Sequence, residues 1–235
     1  MVTMEEAREF PGFPDLGKLT LAPPLPQKKA IGARICPLTI AGQPIHINLG
    51  SLEQPLRLPF EISCFDKDPQ NTRLNINMEL LDPDSRAWFD ELDNQILELL
   101  TSRAGEFWKK SPTPDQIRMQ FKPTITTSDT YPPMLKGKIE VGENAKRVHV
   151  WNSQGEEIDI PCEFRNRRVV VRLGVGHLFI TSSMCGLTLQ VEHLMLSAHE
   201  NTPVFPFQVK QLQVQEAARH VEQTYKCDNI VQVLT

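Results

Sequence analysis

The chain has 235 residues, of which 40% are hydrophobic and 23% charged, and its formal net charge at pH 7 is −4. This composition is typical of a folded globular protein and argues against a disordered chain. The length is sufficient for one large domain or two small ones. Nineteen prolines against twelve glycines indicate many short segments separated by turns rather than long helices.

Targeting signals and cysteines point to the compartment. Residues 1–8 include two acidic side chains and no apolar core, so no secretory signal is expected. No run approaches the roughly 20 apolar residues that span a bilayer, and no membrane association is expected. The five cysteines lie far apart and form no C-x-x-C pair, which predicts neither a disulfide framework nor a zinc site. An intracellular, reducing compartment is therefore predicted.

The chain begins with a proline-rich segment. Residues 1–30 contain five prolines, which predicts an extended N-terminal arm. A β-rich domain is expected over residues 31–200. Its first two strands, 34–40 and 44–49, flank Ala41-Gly42-Gln43, the loop of a predicted hairpin.

Two more strands are predicted before the first helix, over residues 59–65 and 74–80. In the second of them apolar and polar residues alternate, which places its apolar side chains on one face. These side chains are Leu74, Ile76, Met78 and Leu80.

The period of the pattern then becomes helical, in an insertion at about 83–121. Asp82-Pro83 is typical of an N-cap followed by proline at the first helical position, and predicts a helix over 83–102. A second, short helix is expected to begin at Thr113-Pro114 and to pack Ile117 and Phe121, which are four residues apart.

Strands return after the insertion. They are predicted at 135–141, 147–151, 156–160, 168–173, 178–181 and 187–196. Closely spaced short strands favour a small barrel or sandwich, so the predicted fold class is mainly β, or α+β. Residues 201–235 are predicted to form a C-terminal helix and tail.

No enzyme signature is present. The sequence contains no Walker A motif, no G-x-G-x-x-G, no G-x-S-x-G and no H-E-x-x-H. Cys185 has His177 and His193 nearby in sequence, but nothing orders them as nucleophile and base. Asp82 and Asp84 fit acids at a helix start. We therefore predict a binding protein with no catalytic residues, no metal site and no cofactor.

Basic and aromatic residues concentrate in the middle of the chain. Between residues 103 and 172 there are thirteen Lys or Arg against nine Asp or Glu, although the whole chain is acidic. Cations that follow phosphates, interleaved with rings on which unpaired bases stack, are what a single-strand site requires. The predicted nucleic-acid contacts are Trp108, Lys109, Lys110, Arg118, Lys122, Tyr131, Lys136, Lys138, Arg165, Arg167, Arg168 and Arg172.

These residues also have structural interpretations. Phe107, Trp108 and Phe121 are equally the side chains that would anchor two helices in a core. Alternation puts Arg168 and Arg172 on one exposed strand face, which suits a phosphate-binding groove and also an edge strand that avoids aggregation.

The order of these features resembles the OB-fold single-stranded DNA-binding proteins of nucleocytoplasmic large DNA viruses. The resemblance covers about two thirds of the chain and depends on the order of five runs rather than on any one of them. The runs are Leu58–Phe60, Trp88–Asp93, Phe107–Ser111, Tyr131–Lys138 and Cys185–Gln190.

The resemblance implies an OB-like barrel with a helical insertion that binds single-stranded DNA without sequence preference in replication, repair or recombination. Trp108, Lys110, Tyr131, Lys136 and Lys138 would be contacts. The sequence lacks an aromatic directly before Cys185-Gly186, where Thr181–Met184 stands. A viral protein of this kind would work in the host nucleus or in a cytoplasmic virus factory.

Partners can be inferred from the same interpretation. They are single-stranded DNA, which the sequence does not separate from RNA, and replication proteins. Self-association would use the N-terminal arm or the C-terminal helix. The alternative is a structural or assembly protein, of the virion type, whose barrel packs against copies of itself.

Overall fold

The computed structural model of the protein describes residues 12–27, 32–64, 73–140, 148–161 and 163–197. These residues lie in one compact unit. The strands within them are β1 (Leu19–Leu21), β2 (Leu25–Pro26), β3 (Arg34–Ile40), β4 (Ile45–Leu49), β5 (Leu56–Arg57), β6 (Ser63–Cys64), β7 (Arg73–Glu79), β8 (Phe121–Lys122), β9 (Ile125–Thr126), β10 (Met134–Glu140), β11 (His149–Trp151), β12 (Glu157–Ile158), β13 (Arg168–Ile180) and β14 (Cys185–Leu196). The helices are α1 (Pro83–Ser102), α2 (Ala104–Phe107) and α3 (Pro114–Gln120).

The strands form one sheet, which confirms the mainly β class. Its main path is β1-β3-β13-β14-β10-β7-β6. Within the described ranges this path does not close into a ring. The structure therefore shows a sheet, and closure into a barrel is not shown. An ion pair of 3.2 Å between Arg57 of β5 and Glu79 of β7 bridges two strands that share no described backbone ladder.

The predicted hairpin of β3 and β4 is wrong in its pairing. Backbone hydrogen bonds between Ile40 and Gln43 form a tight turn, in which Ala41 and Gly42 have positive φ. Beyond this turn the strands part, and both pair with β13: β3 along residues 177–180 and β4 along residues 171–175. The two strands separate because β13 is long enough to supply hydrogen-bond partners to both.

Two strands predicted separately, 168–173 and 178–181, are one strand. Gly174 and Gly176, which fall between the two predicted strands, lie inside β13, which runs for 13 residues. Glycine in a strand interior often marks a bulge or a close approach of another group. Here Glu192 closely approaches Gly174, and Gly176 lies at a bulge. A register shift between Val175 and His177 is a bulge of this kind.

The predicted arm and tail are described only in part. Residues 12–27 contain a 3-10 turn (Leu16–Lys18) and the strands β1 and β2, both of which pair with β3. This part of the arm is therefore attached to the sheet. Of the strand predicted over 59–65, only β6 forms. The C-terminal helix predicted over 201–235 lies outside the described residues.

Helix α1 has the predicted limits. The Asp82 carboxylate accepts the backbone N–H of Ser85, and proline follows the cap. The face of α1 turned to the sheet buries Phe89, Leu92 and Ile96 completely, and they join the strand side chains in one core. Helix α3 begins with a capping box between Thr113 and Gln116. No helix among the described residues is long and apolar enough to cross a membrane.

Asp93 connects α1 to the loop before β9. It is buried, and its carboxylate accepts the backbone N–H of Thr124 at 2.7 Å and also the Thr124 hydroxyl. Burial raises the pKa of Asp93 to about 6, although both hydrogen bonds from Thr124 oppose the rise. This contact fixes the segment that leads into β9 and β10.

We expect Asp93 to make stability pH-dependent. Because its pKa is higher in the folded than in the unfolded protein, its contribution is complete below the unfolded pKa of about 4 and is lost as pH rises through about 6. Asp93→Asn keeps an acceptor for the Thr124 amide and removes the titration. Urea unfolding from pH 4 to 7 should therefore show the wild type losing stability relative to D93N as pH rises. Parallel curves would contradict this assignment.

Candidate nucleic-acid interface

The face of β13 opposite the core carries two arginines, with buried Val170 between them. Val169, Val171 and Leu173 are buried, whereas Arg168 and Arg172 are exposed. Successive side chains of a strand point to opposite faces, so the two arginines share the outer face as predicted.

Strand β10 repeats this arrangement. Leu135 and Ile139 are fully buried, and Lys136 and Lys138 lie on the outer face between them. Lys138 is in register with Gln190 of β14. The predicted pair of lysines therefore borders the same face of the sheet as Arg172.

Two bulges in the β13–β14 ladder change which side chains reach this face. Arg172 pairs with His193 but Leu173 pairs with Val191, so Glu192 is an additional residue on β14. Gly176 is additional on β13 in the same way. Bulges turn side chains that regular pairing would direct elsewhere. As a result Glu192 and His193 both reach the outer face, and Phe179 shares it with Arg172.

A groove of about 1010 Å³ runs over this face. Its walls come from β3, β4, β10, β11, β13 and β14. All four histidines within the described ranges line it, together with one lysine, two carboxylates and a phenylalanine. These residues are His46, His149, His177, His193, Lys138, Glu140, Glu192 and Phe179.

Three rings form a cluster at one end of the groove. His149 stacks on His193 with a centroid distance of 5.0 Å and an angle of 19°. Trp151 is nearly parallel to both, at 6.2 Å from His149 and 6.1 Å from His193. Trp151 is only half-buried. The cluster therefore offers ring surface of the kind on which a base can stack.

Hydrogen bonds orient these rings. The indole N–H of Trp151 donates to Nδ1 of His193 at 3.3 Å, which requires Nδ1 to be unprotonated. Burial, followed by the charges of His149 and Arg172, lowers the pKa of His193. The Glu157 carboxylate accepts from Nδ1 of His149 at 2.7 Å. The hydrogen bond from Trp151 thus requires a neutral His193 ring, and the Glu157 carboxylate orients the His149 ring.

Phe179 lies near the other end of the groove. It pairs with Gly186 of β14, where a Cβ atom would be 3.1 Å from Cζ of the ring. The same missing Cβ would be 3.3 Å from Cβ of Lys122, which pairs with Gly186 on the other side. The ring and the lysine therefore lie side by side over a glycine.

A second cavity of about 450 Å³ adjoins the groove. Three residues line both: Gln27, Ala33 and Thr181. The second cavity is also lined by Trp108 and Lys109, two of the predicted contacts. The Trp108 ring packs edge-on against buried Phe107, and its buried Nε1 has no hydrogen-bond partner among the described residues. Trp108 is therefore both a partly packed side chain and a wall of the cavity.

The structure brings together only part of the predicted set. Trp108, Lys109 and Lys138 line the two cavities, and Lys122, Lys136 and Arg172 lie on the same outer face or beside a lining residue. Arg168 shares the outer face of β13 with Arg172 but, like Lys122, Lys136 and Arg172, lines neither cavity. The remaining five residues also line neither cavity: Lys110, Arg118, Tyr131, Arg165 and Arg167. Phe121 is buried in the core, in agreement with its structural interpretation.

The residues outside the groove have their own surroundings. Tyr131 is 47% exposed and contacts Phe60 edge-on at 5.3 Å. The loop of Arg165 is held by the Glu61 carboxylate, which accepts the backbone N–H groups of Phe164 and Arg165. Arg118 lies in the last turn of α3. Tyr131, Arg165 and Arg118 therefore lie outside the groove.

Sequence reasoning missed the rings of the groove. Trp151, Phe179 and the histidines were not among the predicted contacts. Had β13 been treated as one strand with a bulge, alternation would have placed Phe179 on the face of Arg172. The cluster of His149, Trp151 and His193 has no such signal, because it depends on the parallel pairing of β11 with β14.

Comparisons with known proteins give limited similarity. No protein-family model matches the chain, and neither does any curated protein. Among solved structures, the single-stranded DNA-binding protein from bacteriophage Enc34 is 14% identical with a TM-score of 0.43, over 83% of this chain and 99% of the other. Its complex with ssDNA is 13% identical with a TM-score of 0.45, over 77% and 97%.

The single-stranded DNA-binding protein gp2.5 of bacteriophage T7 is also similar. It is 12% identical with a TM-score of 0.43, over 65% of this chain and 91% of the other. At these identities, and with TM-scores below 0.5, the likenesses carry no argument about function. Function has to be inferred from the residues of the groove.

We expect His193 to report on the ring cluster. Its pKa should lie below the usual 6.5 and should rise in His149→Gln, because the substitution removes a neighbouring charge that opposes protonation. Proton NMR of the histidine rings measures this, with the His193 signal identified by its loss in His193→Gln. An unchanged pKa in H149Q would show that the two rings are not electrostatically coupled.

Proposed function

We propose that this protein binds single-stranded DNA without sequence preference and acts in DNA replication, repair or recombination. The observation that carries the proposal is the groove on the outer face of the sheet. The rings of His149, His193 and Phe179 line this groove together with Lys138. Beside them, Trp151 donates to the lining residue His193, and Arg172 lies 3.5 Å from the lining residue Glu192. The adjoining cavity extends the same combination to Trp108 and Lys109.

The rings favour a single strand as the ligand. Bases in a duplex are already stacked and paired, whereas unpaired bases can lie on an aromatic face. Stacking contributes about 1–3 kcal/mol per base, so two or three such contacts give useful affinity. Because every base has a π-face, a site built from rings tolerates any sequence.

The cations supply phosphate contacts. Lys136 is exposed on the outer face of β10, and Lys122 is exposed beside Phe179. With Lys138 and Arg172 they lie on the outer face of the sheet, on β8, β10 and β13. Phosphate contacts carry no base information, which again agrees with sequence-tolerant binding.

The finer parts of the proposal extend beyond the groove. We propose that the sheet is an OB-like barrel with the α1–α3 region as its insertion, and that the protein is related to the viral family it resembles. It would work without a catalytic step in a reducing compartment of the cell, alongside replication proteins. The N-terminal arm and the 201–235 tail would serve self-association.

The lysines of β10 provide one test. Lys136→Gln should weaken binding to an oligo-dT of about 16 nucleotides and make the dependence of log K on log salt shallower by about 0.7, the value for one phosphate contact on a single strand. Arg86→Gln is the matched control, since Arg86 is exposed on helix α1 and Lys136 is on the outer face of the sheet. Fluorescence anisotropy at several salt concentrations measures both.

Two outcomes would contradict the proposal. One is binding that does not weaken as salt rises. The other is no binding together with a large assembly in light scattering, which would favour the assembly alternative.

Tryptophan fluorescence provides a second test. Oligo-dT should quench the wild-type emission, and Trp151→Phe should remove a large part of this quenching because Trp151 lies at the end of the groove beside His193. Trp88→Phe is the control. Trp88 is buried, stacks on Phe13 and donates to the carbonyl of Pro14, so its replacement should leave the quenching by oligo-dT unchanged. Equal quenching in W151F and wild type would exclude the ring cluster as a contact.

A further inference from the structure

We propose that the groove contains a phosphate-binding subsite formed by Arg172 and His46, and that the Glu192 carboxylate occupies it when no nucleic acid is bound. The inference rests on the proposed function, since the anion that displaces the carboxylate is a backbone phosphate of the single strand. It adds a specific feature, an internal competitor for the ligand.

Three strands contribute to the subsite. Glu192 Oε2 of β14 is 2.8 Å from Nδ1 of His46 on β4 and 3.5 Å from Nε of Arg172 on β13. A carboxylate only accepts, so Nδ1 of His46 is the donor. Guanidinium and imidazole N–H groups that converge on an anionic oxygen form the arrangement that also binds phosphate.

The subsite is accessible to a ligand. The side chains of His46, Arg172 and Glu192 are 38%, 47% and 30% exposed. His46 and Glu192 both line the groove. Asn48 and His193, which are the register partners of Arg172 on β4 and β14, add polar groups around the same point.

The backbone creates the room for Glu192. The bulge opposite Arg172 and Leu173 introduces Glu192 as an additional residue and leaves it on the outer face. Gly174 is the residue beneath it: a Cβ atom there would be 2.6 Å from Oε1 of Glu192. Any side chain at position 174 would therefore displace the carboxylate from Arg172 and His46. The bulge and the glycine together thus place the Glu192 carboxylate in the groove that is proposed to bind an anion.

A negative charge in this position has one direct consequence. The phosphate must separate Glu192 from Arg172 and His46 before it can bind them, and the carboxylate then repels it. Glu192 therefore lowers the affinity for single strands. Arg172 contributes less in the wild type than it would without its partner.

The experiment compares two glutamates. Glu192→Gln keeps the shape of the side chain and removes its charge. Glu157→Gln removes the same charge from the carboxylate that accepts from His149, away from Arg172 and His46. We expect E192Q to bind oligo-dT about three- to ten-fold more tightly than the wild type, as loss of one competing ion pair implies. E157Q should gain clearly less.

A double-mutant cycle isolates the subsite. Arg172→Gln should weaken binding more in the E192Q background than in the wild type, because Arg172 is no longer neutralised by its partner. The salt dependence of E192Q should also lose about 0.7 in slope when Arg172 is replaced. Thermal unfolding of each variant verifies folding, and Glu192→Ala replaces E192Q if the latter is unstable.

The possible results separate this inference from the proposed function. Wild-type binding with E192Q no tighter than E157Q overturns the subsite and leaves the proposed function intact. Equal effects of R172Q in the wild-type and E192Q backgrounds also overturn the subsite and leave the proposed function intact. No binding by the wild type or by E192Q overturns both. Tighter binding by E192Q, together with a larger effect of R172Q in that background, supports the subsite.

Discussion

The outer face of this protein depends on the antiparallel pairing of β13 with β14. On one side β13 carries β3, β4 and β5, and on the other side β14 carries β8, β10 and β11. The side chains of the groove come from strands far apart in sequence, and they meet only because they attach to this pair. Its two bulges then determine which residues face the groove. The bulge that adds Glu192 puts a carboxylate between Arg172 and His46, and the bulge at Gly176 keeps His177 and Phe179 on the outer face.

Local signals were sufficient for α1 and α3 and for the inward faces of the strands, but the four-residue helix α2 was not predicted. Asp82-Pro83 marks the start of α1 because the cap and the proline each satisfy a condition of the first helical turn. Leu135 and Ile139 are buried, and Lys136 is exposed, because alternation in a half-buried strand leaves no other assignment. Information of this kind lies within a few residues, so the sequence alone is enough to recover it.

Pairing between distant strands was beyond the same reasoning. The turn at Ala41-Gly42 suggested that β3 and β4 pair with each other, but the competing partner β13 lies more than 120 residues away in the chain. The stack of His149 on His193 likewise depends on parallel pairing that no local pattern encodes. Because two separate strands were predicted on either side of Gly174 and Gly176, neither the length of β13 nor the position of Phe179 on the outer face was predicted. Half of the predicted contacts lay near the groove, because clusters of basic residues can be recognised in the sequence. The rings were missed because the register between distant strands cannot.

The charge distribution would explain how an acidic protein with the proposed function selects a single strand. With a net charge of −4, the molecule as a whole repels a polyanion, while its cations act over roughly a Debye length of 8–10 Å. If the groove is the binding site, a strand that enters it comes close to Lys138 and to Arg172 beside Glu192, and its unpaired bases can stack on Phe179 and on the ring cluster of His149, Trp151 and His193. Selectivity would then come from access to a few cations beside exposed rings, and a uniformly basic surface would lose it.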